Sequence, residues 1–178
     1  MSTRIPQGYG WPEIESGSSS LQRRPTVPRA TDPPPVFEEL DHRQCTAILD
    51  RNRVGRIAYA FHDEVGIAPV HYIRTGTWLY GRTSSGTKLA TLAHAPWVVF
   101  EVDEMEGLFE WRSVIVHGTF YRLTPGGTSY DVAAWETGVE ALRKLIPSAF
   151  RGTDPVPFRT EMFRISIDRM SGRSAHSR

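Results

Sequence analysis

An antiparallel β-barrel, closed or nearly closed, is the fold class this chain predicts. Three observations carry it. Six segments between Ile57 and Ile167 alternate or run apolar in the manner of strands. Tight turns such as Thr75-Gly76 join neighbouring segments and are far too short for parallel crossovers. Two main helical patterns and one short one interrupt the series, without a regular βαβ alternation. Closing such a meander removes the unpaired edges that an open sheet would expose.

The elements follow in order. Residues 1–35 hold Pro6, Pro12, Pro25, Pro28 and Pro33-Pro34-Pro35 with Ser18-Ser19-Ser20 between them, a composition that predicts a mobile arm. The alternative is a strap on a partner subunit, anchored by Tyr9 and Trp11. The folded part begins near Val36. Asp41 and Gln44 form a capping box, and Cys45, Ile48 and Leu49 share one face of a helix over 42–51. Ile57, Tyr59 and Phe61 alternate along a first strand, and His62 to Gly66 turn the chain. Strands over 67–74 and 77–82 complete a meander.

A short helix over 88–93 stops before Pro96. The apolar run Trp97 to Val102 is a buried strand, and Asp103 to Gly107 reads as an acidic loop. A long strand covers 109–123. Val132, Trp135, Val139, Leu142 and Ile146 then recur at helical spacing over 129–145. After a loop over 147–157, Met162 to Ile167 forms the last strand, and a basic polar tail follows, set at 173–178 beyond a domain of 36–172.

The chain has 178 residues, enough for one domain with a tail. A formal net charge of +1 advertises no strongly basic surface, so nucleic acid is not an expected partner. The single cysteine, Cys45, excludes an intramolecular disulfide and a cysteine-based metal cluster. The first residues lack an apolar signal segment, and no run approaches the roughly 20 apolar residues that span a bilayer. A cytoplasmic protein without a membrane partner is the expectation.

The chemistry concentrates between Tyr72 and Val116. An apolar strand empties into Ser84-Ser85-Gly86-Thr87-Lys88, which opens a helix. That turn offers backbone N–H groups, hydroxyls, a helix N-terminus and one ammonium to a small volume, the parts of a phosphate site. Gly81 to Lys88 is not a P-loop, because Thr87 separates Gly86 from Lys88 and Leu89 follows the lysine. A monophosphate needs only donors and one or two cations. The competing reading is an ordinary polar turn with a helix cap. Arg112, inside the strand-forming run Trp111 to Val116, either faces solvent or pairs with an anion. Alternation puts Val70 and Tyr72 on one face of their strand and Pro69 and His71 on the other. His71 is either structural or catalytic. The six histidines are scattered, so no metal site is expected.

Taken as an ordered series, G-R-I-A, P-V-H-Y, L-Y-G-R-T-S-S-G-T-K-L, V-V-F-E-V-D and W-R-S-V-I-V-H-G resemble the pyridoxamine 5′-phosphate oxidase-like family of FMN-binding split barrels, nearest its nitroimidazole-resistance-type branch. The resemblance spans about Leu40 to Ser171. It implies a six-stranded Greek-key split barrel, a homodimer, and FMN in two clefts at the subunit interface. It places Pro69, Val70, His71 and Tyr72 along the flavin ring and Arg82 and Thr83 at the next strand's end. Gly86, Thr87 and Lys88 would lie at the phosphate, with Arg112 and Ser113 nearby. His71 becomes the catalytic or substrate-side candidate.

The C-terminal R-I-S-I-D-R-M-S-G-R-S-A-H-S-R lacks the family's pyridoxal-phosphate-binding and closing elements, which argues against pyridoxal phosphate synthesis. The implied activity is an FMN-dependent oxidoreductase, passing electrons from a reduced donor to a small organic acceptor or oxygen. A deazaflavin coenzyme on the same barrel, or a non-catalytic flavin-sensing module, are the alternatives.

Overall fold

A computed structural model of the protein describes residues 33–61 and 64–178. Its elements are β1 (Val36–Leu40), α1 (His42–Arg51), β2 (Val54–Phe61), β3 (Glu64–Thr75), β4 (Trp78–Thr83), α2 (Thr87–His94), β5 (Trp97–Gly107), β6 (Glu110–Leu123), α3 (Ser129–Leu145), β7 (Glu161–Ser166) and β8 (Arg169–His176). Apart from Pro33 to Pro35, the arm expected over 1–35 lies outside the described residues, as do His62 and Asp63 of the first predicted turn.

The strands follow the order β1-β8-β6-β5-β2-β3-β4-β7, and a further β6–β7 pairing closes β6-β5-β2-β3-β4-β7 into a barrel. These are the six strands the sequence predicts. All pairings are antiparallel. Ile57, Val70, Tyr72, Phe100, Val114, Val116 and Phe163 fill the interior from alternate positions. Helix α1 plugs this core with Cys45, Ile48 and Leu49, and its Asp41–Gln44 capping box is present. The Tyr72 hydroxyl donates to the Leu49 carbonyl at 2.8 Å, so a buried polar group is satisfied where helix meets barrel.

A second core lies outside the barrel. Helix α3 packs Val139 and Leu142 against Tyr80, Leu123 and Met162. Its buried face includes Ala134, Gly138 and Ala141, a stripe displaced from the large apolar residues that mark the helix in sequence. Small side chains let the helix axis approach the sheet.

Three expectations are corrected. Residues 103–107 are not a loop but the end of β5, where Arg56 pairs with Glu101 and Asp103, and Arg51 with Glu104 at 2.5 Å. The acidic run is therefore paired with arginines of β2 and α1. The tail set at 173–178 belongs largely to β8, which is hydrogen-bonded on one side to β1 and on the other to β6. Backbone pairing on both edges holds this polar strand, and Gly172 tucks it against Cys45 and Leu40. Third, Val36–Leu40, read from the sequence only as the start of the folded part, forms strand β1.

Strand β6 shares one edge between two partners, pairing with β8 over Trp111–His117 and with β7 over Phe120–Leu123. The handover falls at Gly118, where an added Cβ would sit 1.8 Å from the Ser166 carbonyl oxygen. The next amide, Thr119 N–H, donates to Ser166 Oγ at 2.9 Å. Substituting Gly118→Ala is expected to cost about 3 kcal/mol, the upper end of overpacking penalties because the obstacle is backbone. Equilibrium urea unfolding would read this as a lowered midpoint.

Candidate functional site

Strand β4 pairs with β3 only over Tyr72–Thr75. From Glu64 to His71 the β4-side edge of β3 has no ladder partner among the described residues. The two strands part at that point, and the chain leaving β4 runs through Ser84-Ser85-Gly86 into α2. The result is a cleft wall with free backbone N–H and C=O groups on one side and a helix N-terminus on the other. Alternation holds as predicted: Val70 and Tyr72 are buried, Pro69 and His71 exposed. Any ligand along β3 therefore meets Val70 and Tyr72 through backbone, and Pro69 and His71 through side chains.

Gly86 caps α2 at φ 156°, ψ −174°, and no side chain caps the helix. That backbone geometry is essentially restricted to glycine and costs roughly 1–3 kcal/mol elsewhere. Open space lies where a Cβ would stand. The first amides of α2, at Thr87 and Lys88, have no acceptor among the described residues, since the helical ladder begins at Leu89 N–H to Gly86 O.

Three side chains converge here. Lys88 is half-buried, and burial, followed by the field of Arg159, lowers its ammonium pKa below the usual value. Arg159 Nη1 lies 3.3 Å from His71 Nδ1. A guanidinium only donates, so Nδ1 accepts, and in the neutral ring the His71 proton resides on Nε2. Neither Lys88 nor Arg159 has an ion-pair partner among the described residues. A cationic cluster at an uncapped helix N-terminus is an anion site by electrostatics alone. Its donor set suits a phosphate monoester: two backbone N–H groups, the Thr87 hydroxyl, an ammonium and a guanidinium.

The remaining predicted residues divide. Thr83 is buried at the end of β4. Arg82 is not available to a ligand: it is 2% exposed and forms a bidentate pair with Asp154 at 2.5 and 2.8 Å. Its guanidinium also lies 5.1 Å from the Phe150 ring. Alternation along β4 turns Arg82 toward α3 and the 147–160 loop. Arg112 is exposed and near Glu106 at 3.6 Å, while the Ser113 hydroxyl donates to Glu101 at 3.2 Å. In the sheet, β5 and β2 separate β6 from β3. Within one chain, Arg112 and Ser113 do not join His71 and Lys88.

Arg159 was not legible as a site residue. It follows an irregular loop, and no periodicity marks it. The signal that was present is Asp154-Pro155-Val156, where Asp154 accepts from the Val156 amide at 3.0 Å and the Phe150 amide at 2.7 Å. That turn, clamped by Arg82, fixes the loop that delivers Arg159. Arg82 holds the Asp154 carboxyl far below the ordinary carboxylate range.

Because the folded state depresses this pKa, the pair's stabilisation is fully present above the usual carboxylate value of about 4 and is lost as pH falls below it. Asp154→Asn leaves the Arg82 charge buried without an anion and is expected to cost about 3–5 kcal/mol. The variant should also lose part of the wild type's acid sensitivity below pH of about 4, both read by denaturant titration across pH.

A family model described as pyridoxamine 5′-phosphate oxidase matches residues 41–174. An uncharacterized protein of Rhizobium meliloti is 25% identical over 146 residues, covering 76% of this chain and 93% of that one. The crystal structure of a FAD-binding protein from Mesorhizobium loti superposes with a TM-score of 0.63 at 26% identity, covering 81% of this chain and all of the other. A candidate 5-nitroimidazole antibiotic resistance protein from Bacteroides thetaiotaomicron shares the fold at 12% identity, with a TM-score of 0.60 over 80% of this chain and 89% of its own. With a barrel closed by the predicted strands and a family match over most of its length, this chain belongs to the pyridoxamine 5′-phosphate oxidase family.

Proposed function

We propose that this protein is a homodimeric flavin-dependent oxidoreductase holding FMN with its phosphate at the N-terminus of α2. The observation that carries the reading is the convergence of Lys88, Arg159 and the free α2 amides, with no ion-pair partner for either cation among the described residues. A dianionic phosphate supplies the missing charge and the acceptors. The unpaired edge of β3 supports the same ligand, because a flavin ring presents carbonyls and an N–H along one side. Both the Mesorhizobium loti protein's description as FAD-binding and the family membership favour a flavin.

When bound, the flavin supplies the hydride and electron chemistry. The chain positions it. Lys88 and Thr87 would hold the phosphate, the β3 backbone would set the ring plane, and Pro69 and His71 would face the open side. Arg159 holds the His71 ring with its proton on Nε2, so a proton donor stands beside the ring site. Electrons would pass from a reduced donor to a small organic acceptor or oxygen.

FAD is the second reading, favoured by the Mesorhizobium loti relative. Titrating the apoprotein with FMN, FAD and a deazaflavin coenzyme in competition separates the three. Substituting Lys88→Ala is expected to weaken FMN binding roughly 10- to 100-fold, the worth of a hydrogen bond to a charged group. Unchanged flavin content of the purified variant would remove the phosphate site. Because Lys88 is depressed in the free protein, FMN binding should take up a proton as the pH rises toward that lowered value. Affinity should then fall with pH, as calorimetry in buffers of different ionisation enthalpy can measure.

A second copy of the chain completes the proposal. The outer face of β3, β2, β5 and β6 carries Val65, Ile67, Trp97 and Ile115, at 76, 67, 72 and 38% exposure. An apolar band of this kind marks an interface. His71 and Ser113 lie on that same outer face, so a partner packed there could bring its own β6 to the β3 cleft. Ile67→Glu, exposed in one protomer and therefore near neutral for its folding, is expected to shift the sedimenting species from dimer to monomer and to lower flavin content with it.

A further inference from the structure

A cleft of about 870 Å³ lies between α2, the first turn of α3 and the ends of β6 and β7. Leu89 and Ala93 of α2 line it, whereas Lys88 does not. Its volume falls within the range of small-molecule sites.

Arg164 stands in its wall and is 6% exposed. Its guanidinium carbon lies 3.9 Å from the Trp78 ring centroid, 4.9 Å from Tyr130 and 5.5 Å from Tyr121. Its Nε has no hydrogen-bond partner, and it makes no ion pair among the described residues. Cation–π contacts recover only part of what a buried charge loses on leaving water. The other charges at the cleft are already committed. Arg122 pairs with Glu161 at 2.7 Å, and the Asp131 carboxylate accepts from the Thr128 amide at 3.0 Å and hydroxyl at 2.7 Å. Arg164 is left without a salt-bridge partner among the described residues, inside a box of aromatic rings, with the Asp131 carboxylate close enough to feel its charge.

We propose that this cleft is a second ligand site, taking a flat aromatic molecule that carries a single carboxylate. The carboxylate would pair with Arg164, and the ring would lie along Trp78, Tyr130 and Leu89. A singly charged anion matches one free guanidinium. Asp131 in the same wall disfavours a dianion such as a phosphate monoester, which instead suits Lys88 and Arg159 across the helix. The site is carried by Arg164 and not by Lys88 or Arg159, although Ser85 and Gly86 at the entry to α2 line it as well.

The test is calorimetric titration of the full-length protein, as purified, with 2-naphthoate and with its neutral amide. Saturable naphthoate binding is expected, with the amide at least tenfold weaker. Arg164→Met keeps the apolar stem and should lose naphthoate at least tenfold, while Lys88→Ala should bind it like the wild type. Ala93→Trp, on an exposed helix position, should block the cleft with Arg164 intact, which keeps the test decisive if Arg164→Met does not fold. No saturable binding by the wild type overturns the proposal, as does equal binding of acid and amide, or loss with Lys88→Ala but not with Ala93→Trp.

Discussion

The structure depends on one strand serving two neighbours along a single edge. Strand β6 gives its first half to β8 and its second half to β7, and the barrel closes because the second pairing exists. Two strands cannot occupy the same edge unless they diverge, so β7 ends and β8 begins just where β6 passes Gly118. Ser166, at the end of β7, fills the junction with its carbonyl and its hydroxyl. A residue with any side chain at Gly118 would push these elements apart. Everything placed by β7, including Arg164 and the loop before it, inherits its position from that crossing.

A second constraint links the barrel to its chemistry. Arg82 is buried with Asp154, and the carboxylate also gathers two amides of the 147–160 loop. Buried ion pairs contribute little net stability against an apolar alternative, but breaking one is costly because the remaining charge has no solvent. Their value here is positional. The pair fastens an otherwise irregular loop, and that loop carries Arg159 to His71 and toward Lys88. Arg82, a ligand candidate by its place in the motif, thus acts one step back, holding the loop that brings Arg159 to His71.

Helix α2 divides two anion-seeking environments of different character. One side has a helix N-terminus, an ammonium and a guanidinium near solvent, suited to a multiply charged group. The other has a single guanidinium among aromatic rings, suited to one negative charge on a flat body. Among the described residues no helix is long and apolar enough to cross a membrane, and Val65, Ile67, Trp97 and Ile115 form an exposed apolar band on the outer face of β3, β5 and β6.

Local rules made much of this legible. The Asp41–Gln44 capping box placed α1, and apolar spacing placed α3, at their observed bounds, because both signals lie in side chains three or four residues apart. Period-two patterning marked the six barrel strands and the inward turn of Val70 and Tyr72 for the same reason. The glycine-containing turn marked the entry to α2, where the backbone takes a geometry that only Gly86 readily supplies. Strands β1 and β8 escaped notice because their stability comes from hydrogen bonds to distant partners, which leave no periodic mark in R-M-S-G-R-S-A-H. The fates of Arg82, Arg159 and Arg164 were likewise settled only by tertiary structure. A guanidinium's role depends on which anion or ring it meets across the fold, and no spacing along the chain encodes a contact between residues 82 and 154 or between 164 and 78.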